Sequence, residues 1–253
     1  MHDQITRQID FEEIFRAYAS SLYSLAYRLV GSYDDAADLF QETMVKVWRK
    51  WDQRKNKYNS LPWMRKIVIN TFIDNLRKKK IRESAFGVMF PIMDNDIVSE
   101  TPLPDDEFIV DEEIRMIHSQ CFSIIASTLT LYQRIVFTLI DVFKISISET
   151  ALIIGRSISA TKSLLYRARK KMVEQYSPHC GLVREDNFCQ CKAWLQFTSD
   201  VHQRREYLQK IIRQTVQSKE ATNEIRQRVI QLFHLLPPLT PPSEWLDKLL
   251  KSG

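Results

Sequence analysis

An all-α fold is predicted from three observations: a scarcity of glycine, apolar residues recurring at spacings of three and four, and the lack of strand-and-turn grammar. The chain has 253 residues and five glycines, Gly31, Gly87, Gly155, Gly181 and Gly253. Glycine is about 2% of the chain against an average near 7%, whereas β-rich folds want Gly-containing turns every 8 to 12 residues or so. The isolated glycines also exclude a Gly-rich phosphate loop. An apolar content of 44% with 26% charged residues is a globular profile. No run of about 18 apolar residues occurs, and the N-terminus lacks a basic region followed by an apolar stretch. A cytoplasmic protein is expected.

The first helix is read from Phe11, Ile14, Phe15, Tyr18, Leu22, Leu25 and Leu29, one apolar stripe, and Gly31 ends it. Ser32 is then an N-cap, with Asp34 and Asp35 favourably placed against the helix dipole. In the second helix Ala36, Phe40, Val47, Trp48 and Trp51 face inward, and Asp38, Gln41, Glu42 and Arg49 fall on the other side. Asp52 to Asn59 reads as a polar loop without core anchors. A third helix starts near Ser60-Leu61-Pro62, where proline is tolerated, and carries Trp63, Ile67, Phe72, Ile73 and Leu76 inward.

Charge divides the chain more sharply than hydropathy. The net charge is +5, too small to name a partner, but its distribution is uneven. Arg65, Lys66, Arg77, Lys78, Lys79, Lys80 and Arg82 crowd Pro62 to Arg82. From Glu83 to Glu113 there are acidic residues, no basic one, and prolines at 91, 102 and 104. Proline interrupts helix and like charges extend the chain, so this segment reads as a linker. The expected division is 1–82, a helical domain; 83–112, the acidic linker; 113–176, a second helical domain; and 177–253, a helical extension.

In the second domain a helix around Leu129 to Phe143 precedes a short helix at Ile147 to Ile154, a turn at Gly155-Arg156-Ser157, and a basic helix from Ile158 to Met172. Two helices joined by a tight Gly-containing turn, the second basic, is a helix-turn-helix layout. Ile158, Thr161, Leu165, Ala168 and Met172 would pack it, while Lys162, Arg167, Arg169, Lys170 and Lys171 leave a basic face for a major groove. Cys121, beside Phe122, Ile124 and Ile125, reads as a packing residue.

At this point the residues resemble a known family. Asp34-Asp35-Ala36-Ala37-Asp38-Leu39-Phe40-Gln41-Glu42 and its continuation to Trp48 is similar to the core-polymerase-binding helix of bacterial sigma factors of the extracytoplasmic-function (ECF) subfamily. Trp63 to Arg77 resembles that subfamily's promoter-melting helix, and Tyr166-Arg167-Ala168-Arg169-Lys170-Lys171-Met172 resembles the end of its second DNA-binding domain. The first domain would then be region 2, the second region 4. The resemblance implies no catalysis and no required cofactor. It implies contact of Asp38, Gln41 and Glu42 with the β′ clamp helices of core polymerase, and of region 4 with the β flap. Lys66, Asn70 and Arg77 would hold the minus-ten element, Asn70 at a flipped base. Ser159, Lys162, Ser163, Tyr166 and Arg167 would read the minus-thirty-five duplex. An anti-sigma factor is a frequent partner in this subfamily. Ile147, Thr150 and Leu152 in place of the usual small or acidic residues, which make the scaffold helix unusually apolar, and Leu164 in the recognition helix depart from the family pattern.

The alternatives are a helix-turn-helix regulator acting without polymerase and a metal- or redox-responsive transcription factor. The second arises from the extension, where His179, Cys180, Cys189 and Cys191 resemble a Cys-containing tail of some of these factors. Thiolates and imidazole suit zinc, so metal ligation, redox chemistry and unligated thiols all stay open. Beyond them, Val201 to Val216 and Ile225 to Leu236 carry amphipathic stripes. A short helix from Ser243 would follow the Pro237-Pro238 and Pro241-Pro242 pairs. Trp48, Trp51 and Trp63 read as core before base stacking.

Overall fold

The structure is a computed structural model of the chain. It describes residues 2–54, 59–78, 121–123, 125–178, 180–184, 187, 223–234, 236, 239–241 and 245. The described elements are helical: α1 His2–Val30, α2 Tyr33–Arg49, α3 Leu61–Arg77, α4 Leu131–Phe137, α5 Ile147–Ile154, α6 Ile158–Tyr176 and α7 Asn223–His234. The acidic linker and the stripe at Val201 to Val216 lie outside the described residues. Two compact units emerge. One comprises Met1–Ala85, Ser146–Ile158 and Pro238–Gly253; the other comprises Phe86–Ile145 and Ser159–Pro237.

In the first unit α1, α2 and α3 pack on one another. Gly31 takes a positive φ of 78° and stops α1. The Ser32 hydroxyl oxygen then accepts from the Asp35 amide at 3.1 Å, starting α2 as expected; such a cap contributes about 1 kcal/mol. Phe11 and Phe15 on α1 meet Trp48, Trp51 and Phe40 at ring separations of 4.9 to 5.9 Å. Core placement of Trp48 and Trp51 follows, whereas Trp63 is half-buried, 6.2 Å from the Trp51 ring. Contrary to expectation, the segment after α2 does have an anchor. Arg54 is buried, its guanidinium lies 3.8 Å over the Trp51 ring, and it pairs with Asp10 of α1. Asp10 also accepts from the Trp51 indole nitrogen at 3.3 Å. A charge can sit here because it has a carboxylate and a π face as partners.

Helix α5 also belongs to this unit and packs on α3, with Arg65 Nη1 3.8 Å from Glu149 Oε1. The Ser146 hydroxyl caps α5, accepting from the Glu149 amide at 3.1 Å. Gly155 closes it in the left-handed conformation at φ 65°. Nothing lies within 4 Å of where a Cβ would stand, so the backbone angle alone calls for glycine there.

The second unit is built around Phe122, Ile125, Phe137, Ala168, Met172 and Tyr176, with Val229 and Phe233 of α7 completing the core. The extension is therefore part of this core: Phe233 stands edge-on to Phe122, Phe137 and Tyr176 at 4.9 to 5.4 Å. The helix expected from Leu129 to Phe143 is shorter and changes character. It begins at Leu131 after Thr130, whose amide donates to Gln133 Oε1 at 3.1 Å, and turns π-helical over Thr138–Val142. The wider turn buries Asp141, whose carboxylate takes a bidentate bond from Arg169 of α6 at 2.9 and 2.6 Å. That bond raises the Arg169 pKa. Arg134 bonds the Ala126 and Ser127 carbonyls at 3.1 and 3.2 Å, and burial pushes its pKa down to about 10.

Candidate nucleic-acid interface

On α3 burial and exposure separate cleanly. Met64, Ile67, Val68, Ile69, Thr71, Phe72, Ile73 and Asn75 are buried, while Lys66, Asn70 and Arg77 are exposed. Steps of four and seven return to one side of a 3.6-residue helix, so these three residues form a single polar-basic stripe. The half-buried Asp74 lies on the same line, and Trp63 stands at its N-terminal end. All three minus-ten candidates are thus brought together.

Helix α2 exposes Asp34, Asp38, Gln41, Val45 and Arg49. Of the three residues expected to meet polymerase, Asp38 and Gln41 share this face. Glu42 is half-buried beside it: it accepts from Asn75 Nδ2 at 2.8 Å and pairs with Lys46 at 3.1 Å, and Lys46 donates to Thr71 Oγ1 at 3.2 Å. Val45, 41% exposed, was not singled out from the sequence because an isolated valine reads as core; its register with Asp38 and Gln41 was the available signal.

On α6 the candidates Ser159, Lys162, Ser163, Tyr166 and Arg167 are all exposed, Tyr166 at 69%. Thr161, Leu165, Ala168 and Met172 are buried as expected. Ile158 is not: it is half exposed at the start of the helix, where the chain leaves the Gly155 turn. Nor do all the basic residues reach outward. Arg169 is held by Asp141, and Lys171 Nζ donates to the Thr128 carbonyl at 2.5 Å. The outward cations of this helix among the expected set are Lys162, Arg167 and Lys170.

Cys180 is buried in the core of the second unit, and its carbonyl accepts from Asn187 Nδ2 at 2.9 Å. His179, Cys189 and Cys191 lie outside the described residues. Cys121 is half-buried against the same core. Among the described residues no helix is long and apolar enough to cross a membrane.

Residues 14–81 match the family Sigma-70 region 2, and residues 125–172 match Sigma-70, region 4. The chain is 31% identical over 183 residues to the ECF RNA polymerase sigma factor SigG of Mycobacterium tuberculosis, a stretch covering 66% of this chain and 48% of that protein. It therefore spans about half the length of that relative. It is 29% identical to the RNA polymerase sigma-E factor of Streptomyces avermitilis, covering 66% of this chain and 85% of that one. The ECF RNA polymerase sigma factor SigX of Bacillus subtilis is 27% identical, with coverage of 70% and 86%. Among solved structures it is similar to the sigma factor RpoE of Bartonella quintana, crystallised with the anti-sigma factor NepR, at a TM-score of 0.46 and 24% identity, covering 64% of this chain and 93% of that one. With both regions matched in order, the chain belongs to the sigma-70 family, as an ECF-type sigma factor carrying regions 2 and 4.

Proposed function

We propose that this chain binds core RNA polymerase, recognises a promoter and directs its opening, without catalysing a reaction itself. The observation that carries the reading is the Lys66, Asn70 and Arg77 stripe of α3. A regulator that only grips duplex DNA has no use for a second polar-basic helix face in another domain. Lys66 and Arg77 suit the phosphates of a single strand, and Asn70 between them offers a donor and an acceptor to an extruded base. Extrusion costs a few kcal/mol of unstacking, which backbone electrostatics and base contacts offset. The α6 face suits a major groove: Lys162 and Arg167 for phosphate or guanine, Ser159, Ser163 and Tyr166 for positioning.

Asp38, Gln41 and Val45 form the proposed contact with the β′ clamp helices, a mixed polar and apolar face meeting arginines in charge-assisted bonds. Contact of region 4 with the β flap and control by an anti-sigma factor belong to the same reading. Transcription from a mixed promoter library tests it. Core polymerase plus this protein gives discrete start sites that core alone does not give. Tight duplex binding with neither initiation nor core association would instead favour the plain regulator.

A further inference from the structure

The C-terminal half of α1 is buried on every side, from Leu22 through Val30 without interruption. A helix that only packs on α2 and α3 would keep a polar outer stripe. At Ser20, Tyr23 and Ser24 that side is met from the other end of the sequence, within the same unit. Ser20 and Ser24, one turn apart, both donate their hydroxyls to the Leu239 carbonyl at 3.1 Å, and the Leu239 amide donates to Ser24 Oγ at 2.6 Å. Both backbone groups of Leu239 are thereby satisfied by side chains 215 or more positions away. Leu239 and Pro241 are buried and Thr240 between them is exposed, the in-out alternation of an extended segment. Trp245 then stands edge-on to Tyr23 at 6.3 Å.

The sequence of this segment, Leu236-Pro-Pro-Leu-Thr-Pro-Pro-Ser-Glu-Trp245, suits such a seat. Proline-rich chain is stiff before it binds, so docking costs little conformational entropy, and its usual receptors combine an aromatic surface with side-chain hydrogen bonds. Ser20, Tyr23 and Ser24 supply both. The Tyr23 ring touches a second partner as well, Phe40 of α2 at 5.7 Å. Tyr23 thus stands between the tail and the helix that carries Asp38 and Gln41.

We propose that the Ser20, Tyr23 and Ser24 face of α1 is a docking surface for a proline-rich segment, occupied by this chain's own Leu239 and Trp245, and that it couples the extension to the polymerase-binding helix α2. The coupling rests on the sigma-factor reading; the docking does not. One buried leucine, one buried proline, an aromatic edge contact and three hydrogen bonds make a latch of reversible size rather than a permanent interface.

Hydrogen exchange of the full-length chain tests the docking, and titration with core polymerase tests the coupling. Peptides spanning 236–250 exchange at least about tenfold slower in the unaltered chain than in Ser20→Ala/Ser24→Ala, while α3 peptides are unchanged. Should the double variant lose protection in α3 as well, Leu239→Pro removes the amide donor without touching region 2 and gives the same local loss. Equal exchange at 236–250 in the unaltered and Leu239→Pro chains overturns the docking. Leu239→Pro shifts the Kd for core polymerase by at least about fivefold, the lower end of measured couplings; an unshifted Kd overturns the coupling. Failure of the sigma reading looks different, since the unaltered chain then fails to bind core polymerase with its 236–250 protection intact.

Discussion

The Asn75 side-chain amide of α3 donates to the Glu42 carboxylate of α2 at 2.8 Å, so Glu42 ties the two helices of region 2 together. Lys46 shares that carboxylate. Glu42→Ala removes the acceptor of a buried amide and costs about 1–2 kcal/mol, seen as a lowered Tm. Asp38→Ala, on the exposed face, leaves Tm within about a degree or two and weakens core-polymerase binding. Thermal melts beside core titrations check both; an unchanged Tm in Glu42→Ala would deny the structural role.

Arg169 and Arg167 stand two positions apart on α6 and answer to different partners. Arg169→Ala leaves the Asp141 carboxylate buried without its cation. A cost of roughly 1–3 kcal/mol is expected, below that of a fully buried pair because Arg169 is 40% exposed. Lys162→Ala and Arg167→Ala leave stability nearly unchanged and each reduce the salt dependence of promoter-duplex binding by about one ion. Denaturant melts and binding across a salt series separate the two classes.

Cys180 lies inside the apolar core of the second unit. Cys180→Ser places a hydroxyl in that buried apolar cluster and costs about 1–2 kcal/mol. Cys180→Ala, which adds no polar atom, costs less. Chemical denaturation of the two variants reads this directly, and equal losses would argue against an apolar surround.

Much of region 2 was legible because its signals are local. Gly31, Ser32 and the Asp34-Asp35 pair mark the α1 to α2 turn, and the α3 stripe is readable from spacing alone. Arg54 was not, since its partners Asp10 and Trp51 come from two other elements. Likewise the shortening of α4 follows from the long-range need to bury Asp141 against Arg169, although the Thr130-Leu-Tyr-Gln133 start was present as a capping signal. On α6 the sequence shows which residues are basic but not which are held by Asp141 or the Thr128 carbonyl. In the extension the stripe of α7 announced burial, while its partners Phe122 and Phe137 lie about a hundred residues away.

Opening of promoter DNA by the α3 stripe is read out by 2-aminopurine fluorescence at the minus-ten element. With core polymerase and the unaltered protein, the signal rises as the base leaves the stack. With Lys66→Ala/Asn70→Ala/Arg77→Ala, all exposed positions, the protein still folds and binds core polymerase but the rise is lost. A triple variant that opens the promoter as fast as the unaltered protein would rule out this role for the stripe.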